Sequence, residues 1–97
     1  MNKVDLVLSV NRALWGNVPQ TLRSVSCEFS DESTVILKSI FDGKPSNYDK
    51  ELASLVGTEV LADLPSNYKF EEIIEGSAYP DKLNNLEYLV YLRHEGE

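Results

Sequence analysis

Apolar positions along this chain pass from helical spacing to strict alternation and back, and those changes of period mark out its elements. Between Lys3 and Trp15, the residues Val4, Val7, Leu8, Leu14 and Trp15 recur at helical spacings, and Gly16-Asn17 ahead of Pro19 supplies a stop. The β-branched content of this stretch makes a strand the alternative. From Leu22 to Phe29 the period becomes two. Arg23, Val25, Cys27 and Phe29 fall on one face, and Ser24, Ser26 and Glu28 on the other. Ser30-Asp31-Glu32-Ser33 has turn chemistry, and Thr34–Phe41 reads as a second strand, so the two predict an antiparallel hairpin.

After Asp42-Gly43 and Pro45, Ser46 is placed to cap a helix, with Asp49 three residues on in capping-box position. The helix is expected to run to about Asp63 and to turn Leu52, Leu55, Val56, Val60 and Leu64 inward. Asp49, Lys50, Glu51 and Asp63 are assigned to its wet side. Pro65 ends it, because the residue before proline is driven out of the α region. Tyr68–Glu75 and Leu86–His94 are rich in aromatic and branched residues and read as strands.

Glu72 lies between Phe70 and Ile74 on one face of the first of these strands. Either a bulge re-aims it, or the strand is an edge carrying a protective inward charge. Leu86–His94 is apolar on both faces over most of its length and suits a central position. Tyr88 and Tyr91 are expected on opposite faces of it, one of them on the sheet face that no helix covers. The order αββαββ predicts an α+β two-layer sandwich, a four-stranded, mostly antiparallel sheet with two helices on one face. A permuted ferredoxin-like strand order of 1-2-4-3 is the expectation.

Length and composition fit a single globular domain over residues 1–97, with 42% hydrophobic and 26% charged residues. No run approaches a membrane span, and Asp5 interrupts the apolar N-terminal stretch, so no membrane association is expected and the chain reads as cytoplasmic and unprocessed. Charge is more informative. Lys3, Arg12, Arg23, Lys38 and Lys44 balance Asp5, Glu28, Asp31, Glu32 and Asp42 in residues 1–45. The net charge of −7 therefore belongs wholly to residues 46–97. Such a field repels phosphate and attracts cationic surfaces, so a protein partner is favoured over nucleic acid.

Candidate chemistry is sparse. His94 is the only histidine and lies near the C-terminus, where it reads as a surface residue. Cys27 falls mid-strand on the apolar face, as a buried hydrophobe. Glu71 and Glu75 share a face while Glu72 does not, and a solvated acidic surface explains them better than acid/base catalysis. No phosphate loop, metal-ligand spacing or cofactor motif is present, so the chain reads as a non-enzyme without a cofactor. Trp15 either caps the core at the end of the sheet, which is the expectation, or anchors an interface.

The runs Ala13-Leu-Trp-Gly-Asn-Val-Pro19, Leu22-Arg23-Ser-Val25, Phe41-Asp-Gly43, Thr58-Glu-Val-Leu-Ala-Asp-Leu-Pro65 and Tyr91-Leu-Arg93 span nearly the whole chain. Together they resemble immunity proteins of bacterial contact-dependent growth inhibition systems. The resemblance implies a cytosolic protein that binds and blocks one cognate toxin domain, commonly a nuclease. Because such proteins use surfaces that differ from pair to pair, it assigns no binding residue. Acidity adds the expectation of a cationic toxin cleft, with Asp63, Glu71, Glu72, Glu75, Glu87 and Trp15 as candidate contacts. The alternative is a small acidic cytosolic adaptor, or a homodimer formed through an exposed sheet edge, with no toxin partner.

Overall fold

The computed structural model describes residues 1–95. Its elements are α1 (Lys3–Ala13), β1 (Leu22–Asp31), β2 (Thr34–Phe41), α2 (Asn47–Asp63), β3 (Lys69–Gly76) and β4 (Tyr88–Leu92). This is the predicted αββαββ order in an α+β fold. Asn2 and Asp5 form a capping box on α1, and Ser46 and Asp49 form one on α2. Each box satisfies amides that the first helical turn would leave orphaned. Helix α1 ends at Ala13, two residues earlier than expected, and Gly16 takes the left-handed conformation after it (φ 77°). Leu64, before Pro65, is extended as the sequence requires.

The sheet order is β3-β2-β1-β4, with β1 antiparallel to β2 and β4 and with β2 parallel to β3. The expected order 1-2-4-3 is thus corrected: helix α2 carries the chain from β2 to an adjacent parallel β3, and β4 joins the far side of the sheet. So β4 is an edge rather than a central strand, and β3 and β4 form no hairpin. Both helices pack on one face, α1 over β4 and β1 and α2 over β3 and β2. Between the layers lie Leu6, Val10 and Ala13 of α1 with Leu14, Ala53, Val56 and Val60 of α2 with Leu64, and Val25, Cys27, Val35, Leu37 and Phe41 of the sheet.

Three expectations about facing are overturned. In α1 the buried stripe is Leu6, Ser9, Val10 and Ala13, and Val4, Leu8 and Trp15 look outward. The helix is apolar on two sides, and only one can meet the sheet. In α2, Leu55 is exposed, and Ala53 and Gly57 replace it against the sheet. Asp49, assigned to the wet side, is buried. Its carboxylate accepts a 2.7 Å bond from the Thr21 hydroxyl as well as the amide of Ser46. Burial opposes its ionisation, but the Ser46 amide and the Thr21 and Ser46 hydroxyls prevail and hold its pKa below the usual carboxylate range.

The strands carry two further corrections. Val25 pairs with Tyr91 but Ser26 pairs with Leu89, so Val90 is the extra residue of a bulge. That bulge turns Tyr88 and Tyr91 to the same, helix-covered side, against the core. A register shift between Leu22 and Ser24 removes Arg23 from the alternation of β1. Its buried guanidinium reaches the end of the sheet, donating to both carboxylate oxygens of Glu95 (2.7 and 2.9 Å) and to the Ser77 carbonyl (2.8 Å).

Because β3 and β4 occupy opposite edges, residues 77–87 must cross the sheet on the face away from the helices, about 14 Å for three strand spacings. This strap is fastened by buried polar groups. Lys38 Nζ donates to the Asn84 carbonyl at 2.6 Å, Ser24 Oγ bonds Asn85 Oδ1 at 2.7 Å, and the Leu86 amide donates to Ser26 Oγ at 2.9 Å. The face expected to be bare is therefore partly covered. Small and polar residues at 24, 26 and 38 are what let a loop lie flat on it.

Candidate functional site

The acidic candidates separate once they are placed. Asp63 ties the two helices together, accepting from Ser9 Oγ at 2.7 Å and Arg12 at 3.1 Å. The serine hydroxyl first and Arg12 second hold its pKa below the ordinary range. Glu72 points inward from β3, which is an edge as one of the two sequence alternatives required. Its Oε2 is buried without a hydrogen-bond partner among the described residues, and a Cβ built on Gly57 of α2 would lie 2.6 Å from it. Burial pushes the Glu72 carboxyl up. Glu75 is in an ion pair with Lys38 at 3.3 Å. Trp15 is 72% exposed on the helix side, so it does not cap the core.

Glu71 and Glu87 remain, and the outer sheet face brings them into one row. Glu28 of β1 lies opposite Ile36 of β2, and Ile36 lies opposite Glu71 of β3. At the other edge the Glu87 amide donates to Glu28 Oε1 at 3.1 Å. Strand spacing puts the backbones of Glu28 and Glu71 about 10 Å apart. The next row toward the strap holds Leu89 and Ile73, 47% and 39% exposed, flanking Ser26 and Lys38. Lys38 is buried against Asn84 and Glu75 and does not neutralise the carboxylates. One row further out, Lys69 pairs with Thr34, and the amide of Ser33, the Thr34 hydroxyl and then Lys69 keep the Asp31 pKa low. The open part of this face is thus a line of three carboxylates around Ile36, edged by the apolar Leu89 and Ile73 on the strap side and by Lys69 with Asp31 on the other.

Glu28 was not among the sequence candidates. It comes from the charge-balanced half of the chain, although the alternation of β1 had already placed it on the face of Ser24 and Ser26. Its partners come from strands whose positions the sequence order does not give. Net charge by halves missed it for that reason.

A second charged cluster, at the end of the sheet, has a different character. Arg93 donates to Asp42 (3.0 Å), to Glu95 and to the Gln20 carbonyl (2.7 Å), and the Tyr79 amide donates to the other Asp42 oxygen. Arg23 lies 5.7 Å from the centre of the Tyr79 ring. Every carboxylate here is engaged by a guanidinium, so the cluster fastens the strap and the last strand. A shallow depression of about 240 Å³ is lined by Asp42, Tyr79, Arg93, His94 and Glu95. His94 is exposed. Cys27 is fully buried, and burial first and Glu28 second push its thiol up to about 12. Among the described residues, no three His, Cys, Asp or Glu side chains are grouped to hold a metal ion, and no helix is long and apolar enough to cross a membrane.

A comparison with curated proteins gives no match. The family model described as MafI2 immunity protein matches residues 3–95, from the first turn of α1 to the glutamate held by Arg23. The resemblance read in the sequence reached the same class, immunity proteins, by way of the contact-dependent systems. With nearly its whole length matched, the chain belongs to the MafI2 immunity protein family.

Proposed function

We propose that this protein neutralises a cognate bacterial toxin by seating the outer face of its sheet on a cationic surface of the toxin. Membership of an immunity family supports the class of partner. The observation that carries the choice of surface is the row Glu87, Glu28, Ile36 and Glu71, in which three carboxylates without a basic side chain among them surround an apolar centre. Apolar contact supplies affinity at the middle of such a patch, and like-signed charge speeds encounter with an oppositely charged partner. A nuclease domain fits this role well, since the cleft that grips phosphate must be basic and is blocked when an acidic protein occupies it. The site of action is then the cytoplasm, and nucleic acid is not itself a ligand. Glu75, bound to Lys38, sits at the margin of the patch. Asp63 and Glu72 are structural and lie outside it.

The test is protection. Cells expressing the toxin domain encoded beside this chain should grow when the chain is co-expressed. The combined Glu28→Lys, Glu71→Lys and Glu87→Lys variant, produced at the same level and folded by circular dichroism, should fail to protect. Full protection by that variant would refute the choice of face.

A further inference from the structure

Strand β3 leaves one side of its hydrogen bonding open. It is the first strand in the order β3-β2-β1-β4, and among the described residues it pairs only with β2. The Lys69 amide donates to the Ser33 carbonyl and the Ser77 amide to the Phe41 carbonyl, both at 2.8 Å. Peptide groups turn to alternate sides along a strand, so the odd-numbered residues between them bond β2. The N–H and C=O groups of Phe70, Glu72 and Ile74 therefore point away from the sheet, repeating at about 6.6 Å. An extended backbone is the ligand that offers donors and acceptors at that repeat.

The two edges of the sheet differ in what they can accept. Strand β4 has five residues, and the Val90 bulge breaks its ladder. Strand β3 has eight, and runs beside β2 from Lys69 opposite Thr34 to Gly76 opposite Phe41 without a shift. Short length and bulges blunt an edge, so β3 is the one open to another strand. Phe70 and Ile74 flank the open groups on the inner face, half-buried against the core. On the outer face Glu71 is exposed and, among the described residues, in no ion pair.

We infer that the edge of β3 receives an extended segment of the cognate toxin as a further strand of the sheet, with a basic side chain against Glu71 and apolar ones beside Phe70 and Ile74. The identity of the partner rests on the reading of the outer sheet face as the toxin surface. Glu71 joins the two, since it belongs both to the acidic row and to the edge strand. Main-chain bonds supply affinity, and the side chains flanking them supply the selection. A second copy of the chain is the poorer occupant. Two β3 strands paired antiparallel about a two-fold axis set even residues opposite even and odd opposite odd. Centring the pair on Glu71 or Glu72 puts that glutamate against its own copy, and centring it on Ile73 puts Glu71 against Glu75. Like charges directly opposite one another destabilise a ladder.

Amide exchange followed residue by residue by NMR reads the backbone directly. In the free chain it should be fast at Phe70, Glu72 and Ile74, and saturation with the toxin domain encoded beside the chain should slow it about ten-fold or more at all three. Glu71 and Ile73, already bonded to β2, should change less. Glu72→Pro removes one outward amide where an edge strand tolerates proline, and should weaken toxin binding about ten-fold. Glu72→Gln, which keeps that amide, should bind more tightly than Glu72→Pro. Unslowed exchange at the three amides in the saturated complex overturns the added strand, whether or not Glu72→Pro folds. Slowing that appears without toxin as the chain is concentrated overturns the choice of occupant in favour of a second copy. The paired reversals Glu28→Lys and Glu87→Lys, neither of them in β3, test the acidic row separately. Slowed β3 amides in a complex those reversals leave intact uphold the strand and remove the row. Loss of binding by the reversals, with β3 amides unslowed in the wild-type complex, keeps the row and removes the strand.

Discussion

Glu72→Gln should make the protein more stable at neutral pH, and the gain should disappear in acid. The wild-type carboxylate sits on the inner face of β3, opposite Leu37 in the ladder, and its Oε2 is buried against Gly57 without a donor among the described residues. Leaving a buried polar group unsatisfied costs about 1–3 kcal/mol, more for a charge. Glu72 is only half-buried, so the gain from removing its charge is set at the low end, about 1 kcal/mol. For a domain of this size that is a rise in Tm of roughly 4–8 °C. The sign with pH follows from burial, which raises the folded pKa above the unfolded value of 4.5. Below the unfolded value the side chain is neutral in both states, and glutamate and glutamine should be equivalent. As pH climbs through the folded pKa the wild type loses stability relative to the variant, and above it the difference is constant. Urea melts of both proteins at about one-unit intervals from pH 4 to pH 8 measure this, since the other titrating groups cancel in the difference. A variant less stable than wild type at pH 7, or a difference that does not change with pH, would show that the Glu72 charge does not destabilise the fold.

Further outcomes follow from other contacts. Gly76→Ala places a Cβ against the backbone carbonyl of Gly43, which has no side chain to swing away, and should cost about 1–3 kcal/mol in a urea melt. Ser46→Ala removes the N-cap of α2 and should cost about 1 kcal/mol. Asp49→Ala should cost more, because the bond to Thr21 goes with the cap. The depressed pKa of Asp49 means that its contribution is present above the unfolded pKa and lost as pH falls through the folded one, so wild type and Asp49→Ala should converge in acid. Cys27, fully buried with its thiol pushed up to about 12, should resist iodoacetamide at pH 8 in the folded protein and react once urea unfolds it.

Legibility in the sequence tracked the range of the interaction responsible. Strand β2 begins and ends where alternation and turn residues place it, and the Ser46/Asp49 box and the stop before Pro65 were equally visible, because each is settled within a few residues. The inward charge of Glu72 also marked β3 as one of two things, and the edge was one of them. Strand order was not legible, since an apolar run such as Leu89-Val90-Tyr91-Leu92 suits a centre or an edge alike until its partner is known. The bulge at Val90 left no mark and inverted the expected facing of Tyr91 relative to Tyr88. In α1, apolar residues on both sides made the wrong stripe as plausible as the right one. The acidic row suffered most: its three carboxylates come from β1, β3 and the strap, and only the sheet order makes them neighbours.

Calorimetric titration of the chain against the toxin domain encoded beside it, at several salt concentrations, decides whether the acidic row is the toxin-binding surface. Affinity should fall as salt rises, and the variant carrying Glu28→Lys, Glu71→Lys and Glu87→Lys should bind roughly 100-fold more weakly at low salt, about 1 kcal/mol for each reversed carboxylate. Affinity that is independent of salt and unchanged by the three reversals would rule out the outer sheet face as the toxin-binding surface.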